Sequence, residues 1–245
     1  QDAQVRRVRQ AGFGTLVVTV DVPVAGNREA DIRNGYTSPL RPSLRLALDG
    51  LAHPRWLVGT FARTLLREGM PHFENFGAGR GAPMLSRRAT RTHRRDNLSW
   101  EHLKRLREQW PHKLVVKGLL APDDLAPARS IGVDGVVVSN HGGRQLDGAA
   151  APLGVLPEFA AAARNGGPVV MYDSGVRRGT DVLKALALGA QQVFLGRPFL
   201  YAAVAGGELG VRRAIGLLRA EIERDMALLG CNRLAELPDR VLAPA

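Results

Sequence analysis

The segment VVSNHGGRQLDG combines residue types that could carry out acid–base chemistry on a small acid. His141 is followed by Gly142 and Gly143, and Arg144 lies three residues after the histidine. An imidazole titrates near neutral pH and can take up and release a proton. The glycine pair allows a tight turn and the close approach of a planar ligand, and a guanidinium binds a carboxylate through two hydrogen bonds. A base beside a carboxylate clamp suits a small 2-hydroxy acid as substrate. The alternative is a structural histidine.

Five segments rich in β-branched and aliphatic residues predict strands that each end in polar groups. The predicted strands are Thr15–Asp21, Lys113–Lys117, Gly135–Asn140, Pro168–Asp173 and Gln192–Gly196. The polar groups at or just past their ends are Thr19, Asp21, Lys117, Ser139, His141, Asp173, Ser174 and Arg197. A parallel barrel builds its active site at the carboxyl ends of its strands. We therefore expect these side chains to share one site.

Helical segments that end in glycine precede several of these strands, at Gly12, Gly132 and Gly189. The predicted helices are Ser99–Trp110, Pro122–Ile131, Pro152–Arg164, Thr180–Leu188 and Glu208–Leu229, with Ser99 and Thr180 as N-caps. The alternation predicts an α/β fold, either a TIM (β/α)8 barrel or a doubly wound sheet. The first strand is not followed by a G-x-G-x-x-G segment, which disfavours a dinucleotide-binding fold.

Charge is concentrated in one stretch of the chain. The formal net charge is +11, and residues 36–98 hold eleven arginines against four acids, so they contribute +7 of it. This excess predicts attraction to an acidic partner, either a membrane surface or nucleic acid, whereas a solvated basic loop is the alternative. The single cysteine, Cys231, excludes an intrachain disulfide, and no apolar run is long enough to cross a bilayer.

Part of that basic stretch has a helical apolar pattern. Leu57, Phe61 and Leu65 recur at i, i+4 and i+8 beside Trp56, and the flanking basic residues are Arg55, Arg63 and Arg67. Such a basic amphipathic pattern is typical of helices at a membrane interface, so we expect residues 40–95 to contact an anionic membrane surface. The alternative is a lid that packs on its own barrel or on a neighbouring subunit.

Five segments resemble the FMN-dependent 2-hydroxy acid oxidases and dehydrogenases: TVDVPVAGNREADIRNGY, VVKGLL, VVSNHGGRQLDG, DSGVRRGTDVLKALALGA and VFLGRPFLY. The segments HPRW, EGMPHFENF and QWPHKLVVKGLL resemble the membrane-associated mandelate dehydrogenase branch most, and then the quinone-linked lactate dehydrogenases. The resemblance implies a TIM barrel whose fourth to eighth strands are the five found here. It also implies FMN as cofactor, a mandelate-like or lactate-like (S)-2-hydroxy acid as substrate, and quinone or oxygen as electron acceptor.

The resemblance implies a role for each strand-end residue. His141 would be the base and Asp21 its partner, and Arg28 with Arg144 would bind the substrate carboxylate. Lys117 would lie by flavin N1 and O2. The remaining flavin contacts would be Thr19 and Ser139 at the ring edge and Asp173 at the ribityl chain. The phosphate would be held by the backbone of Ser174 and Gly175, together with Arg177, Gly196 and Arg197. The phosphate set also has physical support, because the loops after the last two strands are the usual phosphate site of such barrels.

Each role has a structural alternative. Asp21 and Asp173 could be caps, and Lys117 could extend to solvent. Arg28 could pair with Asp31 within one helical turn. Arg177 and Arg178 could be an exposed pair of which only one faces the phosphate. No metal site is expected, because the other histidines lack metal-like spacing: His53, His72, His93, His102 and His112.

The expected organisation is a single partial barrel domain over residues 1–245, with an inserted basic loop over residues 36–98. Three strands of an eight-stranded barrel are not found, and we expect them before residue 1. We expect the chain by itself to bind FMN poorly and to be inactive. We further expect a cytoplasmic homo-oligomer that binds peripherally at the inner face of the cell membrane and binds no nucleic acid. Two alternatives stay open: another phosphate-binding barrel enzyme, and an inactive fragment that acts only as a basic binding module.

Overall fold

The computed structural model describes residues 2–36, 40–74, 80–86 and 97–238. The chain divides into two compact units. The first comprises residues 1–13 and 24–97, and the second comprises residues 14–23 and 98–245. All five strands belong to the second unit.

The second unit contains one parallel sheet with strands β1 to β5 in sequence order. The strands are β1 (Thr15–Thr19), β2 (Lys113–Leu119), β3 (Gly135–Val138), β4 (Val169–Tyr172) and β5 (Gln192–Val193). Each pairs in parallel with the next, as in consecutive units of a TIM barrel. All five predicted strands are confirmed. Four of them end earlier than predicted, whereas β2 extends two residues past its predicted end, to Leu119.

Helices follow or precede these strands as the alternation predicted. They are α6 (Trp100–Gln109), α7 (Leu125–Ile131, after a 3₁₀ turn at Pro122–Asp124), α8 (Pro152–Ala162), α9 (Gly179–Ala187) and α10 (Arg197–Leu228). Gly206 and Gly207 have non-helical backbone angles and divide α10 into two helical segments. The second segment begins at Glu208, which confirms the predicted start of the last helix. The first segment, which begins at Arg197, was not predicted.

The two predicted N-caps have different outcomes. Ser99 is the N-cap of α6, and its N–H donates to His102 Nδ1 at 3.2 Å. Thr180 is not a cap, because α9 begins at Gly179. The Asp181 carboxylate instead accepts hydrogen bonds from the backbone N–H groups of Arg177 and Arg178 at 2.8 and 2.9 Å. A carboxylate in the first turn satisfies the helix N-terminus more strongly than a hydroxyl, since it also opposes the helix dipole.

Strands β2, β3 and β4 are buried on both faces, which explains their continuous apolar runs. On one face Val115, Val137 and Met171 form a cluster. The alternate residues of β2 and β3, such as Val116 and Val136, are fully buried.

Asp134 fixes the amino ends of β2 and β3 against each other. Its carboxylate accepts hydrogen bonds from Arg107 Nη1 at 3.0 Å, Lys113 Nζ at 2.8 Å and the backbone N–H of Leu114 at 2.9 Å. Burial by itself would raise the pKa of Asp134, but the hydrogen bonds from Lys113 and Leu114 and the charge of Lys113 outweigh it, and the pKa is lowered. This ionised carboxylate therefore holds the sheet register at the end opposite to the predicted site.

The first unit is helical within the residues that the structure describes. Its helices are α1 (Asp2–Gln10), α2 (Glu29–Arg33), α3 (Leu44–Ala52), α4 (Pro54–Trp56) and α5 (Arg63–Glu68), with a π-helical segment at Leu57–Ala62. Of the predicted membrane segment 40–95, residues 75–79 and 87–95 lie outside the described residues. Across the described part of the chain, every helix is too short or too polar to cross a membrane.

Candidate active site

His141 lies in a sharp turn directly after β3. His141, Gly142 and Gly143 all have positive φ, at 58°, 69° and 72°. Two glycines adopt this left-handed backbone without strain, so the chain reverses within a few residues and leaves the histidine at the carboxyl end of the sheet. The turn is fixed by the fully buried Ser139, whose Oγ accepts a hydrogen bond from the His141 N–H at 3.0 Å.

The imidazole of His141 pairs with the carboxylate of Asp21, just after β1. Nδ1 of His141 lies 3.1 Å from Oδ1 of Asp21, and the aspartate side chain is only 12% exposed. The second oxygen, Oδ2, is buried without a hydrogen-bond partner among the described residues. A carboxylate on Nδ1 orients the ring and stabilises its protonated form. Nε2 is then the nitrogen that can exchange a proton with a substrate. The alternative that Asp21 is a cap is wrong.

Gly118 makes room for this pair. The pairing of β2 with β3 is irregular between Lys117 and Leu119, and Gly118 has φ of 110°. A Cβ on Gly118 would lie 2.6 Å from Cβ and Cγ of Asp21. Only glycine therefore fits the VVKGLL segment at this position.

The Lys117 ammonium is held in the same region. Its Nζ lies 2.9 Å from Oδ2 of Asp173 and donates to Oγ of Ser139 at 2.9 Å. Both charged side chains are about four-fifths buried, so the alternative that Lys117 extends to solvent is wrong. Ser139 thus contacts both Lys117 and the turn that carries His141. Thr19 lies opposite Lys117 in the pairing of β1 with β2.

The loops after β4 and β5 leave open space beside two backbone positions. No described atom lies within 4 Å of where a Cβ would stand on Gly175 or on Gly196. Of the neighbouring arginines, Arg178 pairs with Glu221 at 2.8 Å, and its hydrogen bond lowers the pKa of that carboxyl. Arg177 Nη1 donates to the backbone carbonyl of Val176 at 2.9 Å. Of the two, Arg177 is therefore the better candidate for an anion beside Gly175.

Arg197 contacts the histidine turn as well as the β5 loop. Its Nη2 donates to the carbonyl oxygen of Gly142 at 2.6 Å. This contact was not predicted from the sequence, which assigned Arg197 to a phosphate alone.

Three further contacts at this site were not predicted. Ser174 was predicted only as a phosphate contact, but its Oγ accepts hydrogen bonds from the histidine turn. Oδ1 of Asn140 accepts from the Gly143 N–H at 3.0 Å, and the Tyr172 hydroxyl donates to the Ser174 carbonyl at 2.7 Å. Burial and the charges of Asp181 and Asp173 raise the pKa of Tyr172, which keeps its proton for this bond. The available signals were an asparagine before a glycine pair and a serine directly after Asp173.

The two arginines that are predicted to bind the substrate carboxylate belong to different units. Arg144 follows Gly143 in the second unit, whereas Arg28 precedes α2 in the first. The pairing of these two arginines on one substrate therefore remains a prediction.

The five parallel strands bring a histidine–aspartate pair and a mostly buried lysine to their carboxyl ends, the arrangement of a TIM barrel's site. Residues 1–244 match the model of a family described as FMN-dependent dehydrogenase, and the chain belongs to that family. This membership decides against an unrelated phosphate-binding barrel. It also confirms the predicted relationship and the TIM-barrel class of the five βα units.

Three relatives illustrate the similarity. The chain is 44% identical to (S)-mandelate dehydrogenase of Pseudomonas putida over 96% of its own length and 58% of the relative's. It is 43% identical to L-lactate oxidase of Nostoc sp. over 96% and 58%. A crystal structure described as monotopic membrane protein (S)-mandelate dehydrogenase superposes with a TM-score of 0.87 at 43% identity, covering 98% of this chain and 62% of that one. The chain therefore spans about three-fifths of the length of these relatives.

The strand-end residues fit the cofactor of this family, FMN. A mostly buried ammonium (Lys117) and two hydroxyls (Thr19 and Ser139) at the ends of adjacent strands suit the polar edge of an isoalloxazine ring. The backbone at Gly175 and Gly196 is open to an anion, because no described atom other than those of the chain neighbours lies within 4 Å of a Cβ built there.

Proposed function

We propose that this protein oxidises a small (S)-2-hydroxy acid, mandelate-like or lactate-like, to the corresponding 2-oxo acid with FMN as its cofactor. The observation that carries the proposal is the 3.1 Å contact between His141 Nδ1 and Asp21 Oδ1 at the carboxyl edge of the sheet, beside Lys117. This arrangement supplies an oriented base next to a fixed positive charge. The similarity to an (S)-mandelate dehydrogenase and to an L-lactate oxidase supports the substrate class.

The chain's own residues divide the work between binding and proton transfer. Arg28 and Arg144 bind the substrate carboxylate and fix the α-carbon in position. His141 takes one proton through Nε2, and Asp21 stabilises the resulting imidazolium. FMN, held by the strand-end residues, would supply the oxidant and would take up the two electrons and the second hydrogen ion that the substrate loses. Lys117 provides positive charge where negative charge develops on the cofactor, in a position fixed by Asp173 and Ser139.

The five strands by themselves are expected to be inactive, so the proposal is tested with this chain as part of a complete, FMN-loaded barrel. The assay measures 2-oxo acid formation from (S)-mandelate, (S)-lactate and glycolate, under oxygen and with a quinone analogue under argon. We expect turnover of at least one (S)-acid and none of its (R)-enantiomer. Turnover that continues after FMN is removed, or no turnover of any 2-hydroxy acid, would contradict it.

We also propose that the first unit attaches the protein peripherally to an anionic membrane at the inner face of the cell membrane. The crystallised relative described as a monotopic membrane protein supports this. In the helical segment of residues 54–68, Val58 is 67% exposed and Leu66 is 88% exposed. The rings of Trp56 and Phe61 stack beside them with centroids 5.6 Å apart. An exposed apolar face among arginines suits an anionic lipid surface.

The exposed face differs from the predicted stripe. Leu57 and Leu65 are half-buried, and the most exposed aliphatic residues are their neighbours Val58 and Leu66. Leu57–Ala62 is π-helical, so its angular spacing differs from the one that an i, i+4, i+8 pattern assumes.

A double variant, Val58→Asp with Leu66→Asp, is expected to lower co-sedimentation with phosphatidylglycerol-containing vesicles at least about tenfold. Burying each aliphatic side chain stabilises membrane binding by roughly 1.5–3 kcal/mol, and a charge removes that gain. The matched control is Leu209→Asp with Leu228→Asp on α10, whose side chains are similarly exposed. Equal sedimentation of both double variants would contradict the membrane proposal. A change in oligomeric state with unchanged sedimentation would favour a lid or subunit contact instead.

A further inference from the structure

We infer that the hydroxyl of Ser174 is a positioning group for the His141 base. It ties the turn that carries His141 to the loop after β4, where the phosphate of FMN is expected. The inference deepens the proposed function and rests on it. The family resemblance implies a phosphate contact for the backbone of Ser174, whereas the role inferred here belongs to its side chain.

The Ser174 hydroxyl is bonded to both sides of the histidine. Its Oγ accepts hydrogen bonds from the backbone N–H groups of Asn140 at 3.3 Å and Gly142 at 2.9 Å. These two residues flank His141 in the sequence. The same hydroxyl donates to Oδ1 of Asp173 at 3.0 Å, and Asp173 pairs with Lys117. A hydroxyl can donate one hydrogen bond and accept two, so all three hydrogen-bonding positions of the Ser174 hydroxyl are occupied.

The backbone of Ser174 is held in a conformation that serine rarely adopts. Its φ is 95°, and among the described residues only His141 and Asn165 share a positive φ without being glycine. Glycine would adopt this conformation without strain. The Tyr172 hydroxyl holds the Ser174 carbonyl at 2.7 Å and so maintains the strained peptide. What serine adds over glycine at this position is the hydroxyl that contacts the histidine turn.

The Gly142 peptide is also held from its other end. Arg197 Nη2 donates to the Gly142 carbonyl at 2.6 Å, while Ser174 receives the Gly142 N–H. A Cβ on Gly142 would lie 2.6 Å from the same arginine nitrogen, so only glycine permits this contact. The residue next to the base is therefore clamped between the loops after β4 and β5. Movement of either loop is transmitted to His141.

The decisive variant is Ser174→Gly, because it removes the hydroxyl and also relieves the positive φ, so the fold is retained. We expect the rate constant for flavin reduction, measured per bound FMN, to fall about 10–100-fold, the effect of displacing a catalytic group by roughly 1 Å. Affinities for FMN and for the substrate should change less than about threefold, because the phosphate contacts and carboxylate clamp are untouched. Asn165→Gly is the matched control, since it relieves a positive φ of 64° away from the site, and its reduction rate should equal that of the parent protein.

Two further measurements separate positioning from a general structural effect. In the His141→Asn background, Ser174→Gly should cause no further loss of reduction rate, because Ser174 acts through His141. Amide hydrogen exchange of residues 139–144 in the FMN-loaded protein should become at least about tenfold faster in Ser174→Gly and stay unchanged in Asn165→Gly, because the Gly142 and Asn140 amides lose their acceptor.

An active parent protein with unchanged reduction rate and exchange in Ser174→Gly would overturn the inference. Additive losses in the double variant, or weakened FMN binding that accounts for the whole loss of rate, would overturn it too. A parent protein that no 2-hydroxy acid reduces would contradict the proposed function instead. In that case the exchange measurement still tests the contact between Ser174 and the histidine turn.

Discussion

Replacing His141 by asparagine is expected to slow flavin reduction by about 10²–10⁴-fold, the usual contribution of a positioned acid–base group. Asparagine tolerates the positive φ of this turn better than most residues, so the turn and the contacts of Gly142 should persist. The amide cannot accept a proton as the imidazole does. FMN should remain bound with unchanged affinity, because the anion-binding edge lies on other loops. Anaerobic stopped-flow mixing with an (S)-2-hydroxy acid measures the rate, and titration of the apoprotein measures FMN binding.

The matched control for this variant is His112→Asn. His112 is exposed and immediately precedes β2, at the opposite end of the sheet. Its replacement should leave the reduction rate unchanged. If His141→Asn reduced flavin as fast as the parent protein, the assignment of His141 as the base would be wrong.

Replacing Lys117 by methionine is expected to lower the flavin reduction rate by about 10²–10³-fold, as the loss of one preorganised electrostatic group does in other enzymes. The ammonium lies between Asp173 and Ser139, where it can stabilise negative charge on the reduced cofactor. Its removal should make the flavin reduction potential more negative and weaken FMN binding. The variant should also be less stable, because the mostly buried Asp173 carboxylate loses its cation. Spectroelectrochemistry and stopped-flow mixing measure the two effects.

A double variant separates the loss of charge from the loss of stability. Lys117→Met with Asp173→Asn removes the uncompensated carboxylate, so the melting temperature should recover while the reduction rate should not. Lys113→Met is the control for the loss of a lysine from the same strand, since Lys113 pairs with Asp134 at the amino end of β2. A recovered rate in the double variant would contradict the proposed role of Lys117.

The strand segments and their order could be predicted because buried parallel strands carry continuous apolar runs that need no long-range information. The polar residues at their carboxyl ends could be predicted as a shared site for the same reason, since topology alone brings these ends to one edge. The contact of His141 with Asp21 joins residues 120 positions apart, and parallel pairing of β1 with β2 and of β2 with β3 places them together.

Other features depend on contacts that a sequence does not display. The Ser174 hydroxyl becomes a positioning group only through a positive φ and the approach of the Gly142 turn. The sequence does not show which of Arg177 and Arg178 faces the phosphate. In the structure Arg178 is bound by Glu221, 43 residues away on α10. The π-helical turn at Leu57–Ala62 changes the spacing of side chains around the helix, and the apolar pattern of the sequence does not reveal it.

The proposed mechanism requires one imidazole and two guanidinium groups to act on the same substrate beside the flavin. A crystal structure of the FMN-loaded protein with a bound 2-oxo acid product tests this requirement most directly. We expect the product's carboxylate on Arg28 and Arg144, and its keto oxygen within hydrogen-bond distance of His141 Nε2. A product bound away from His141, or with its carboxylate on other residues, would contradict the mechanism.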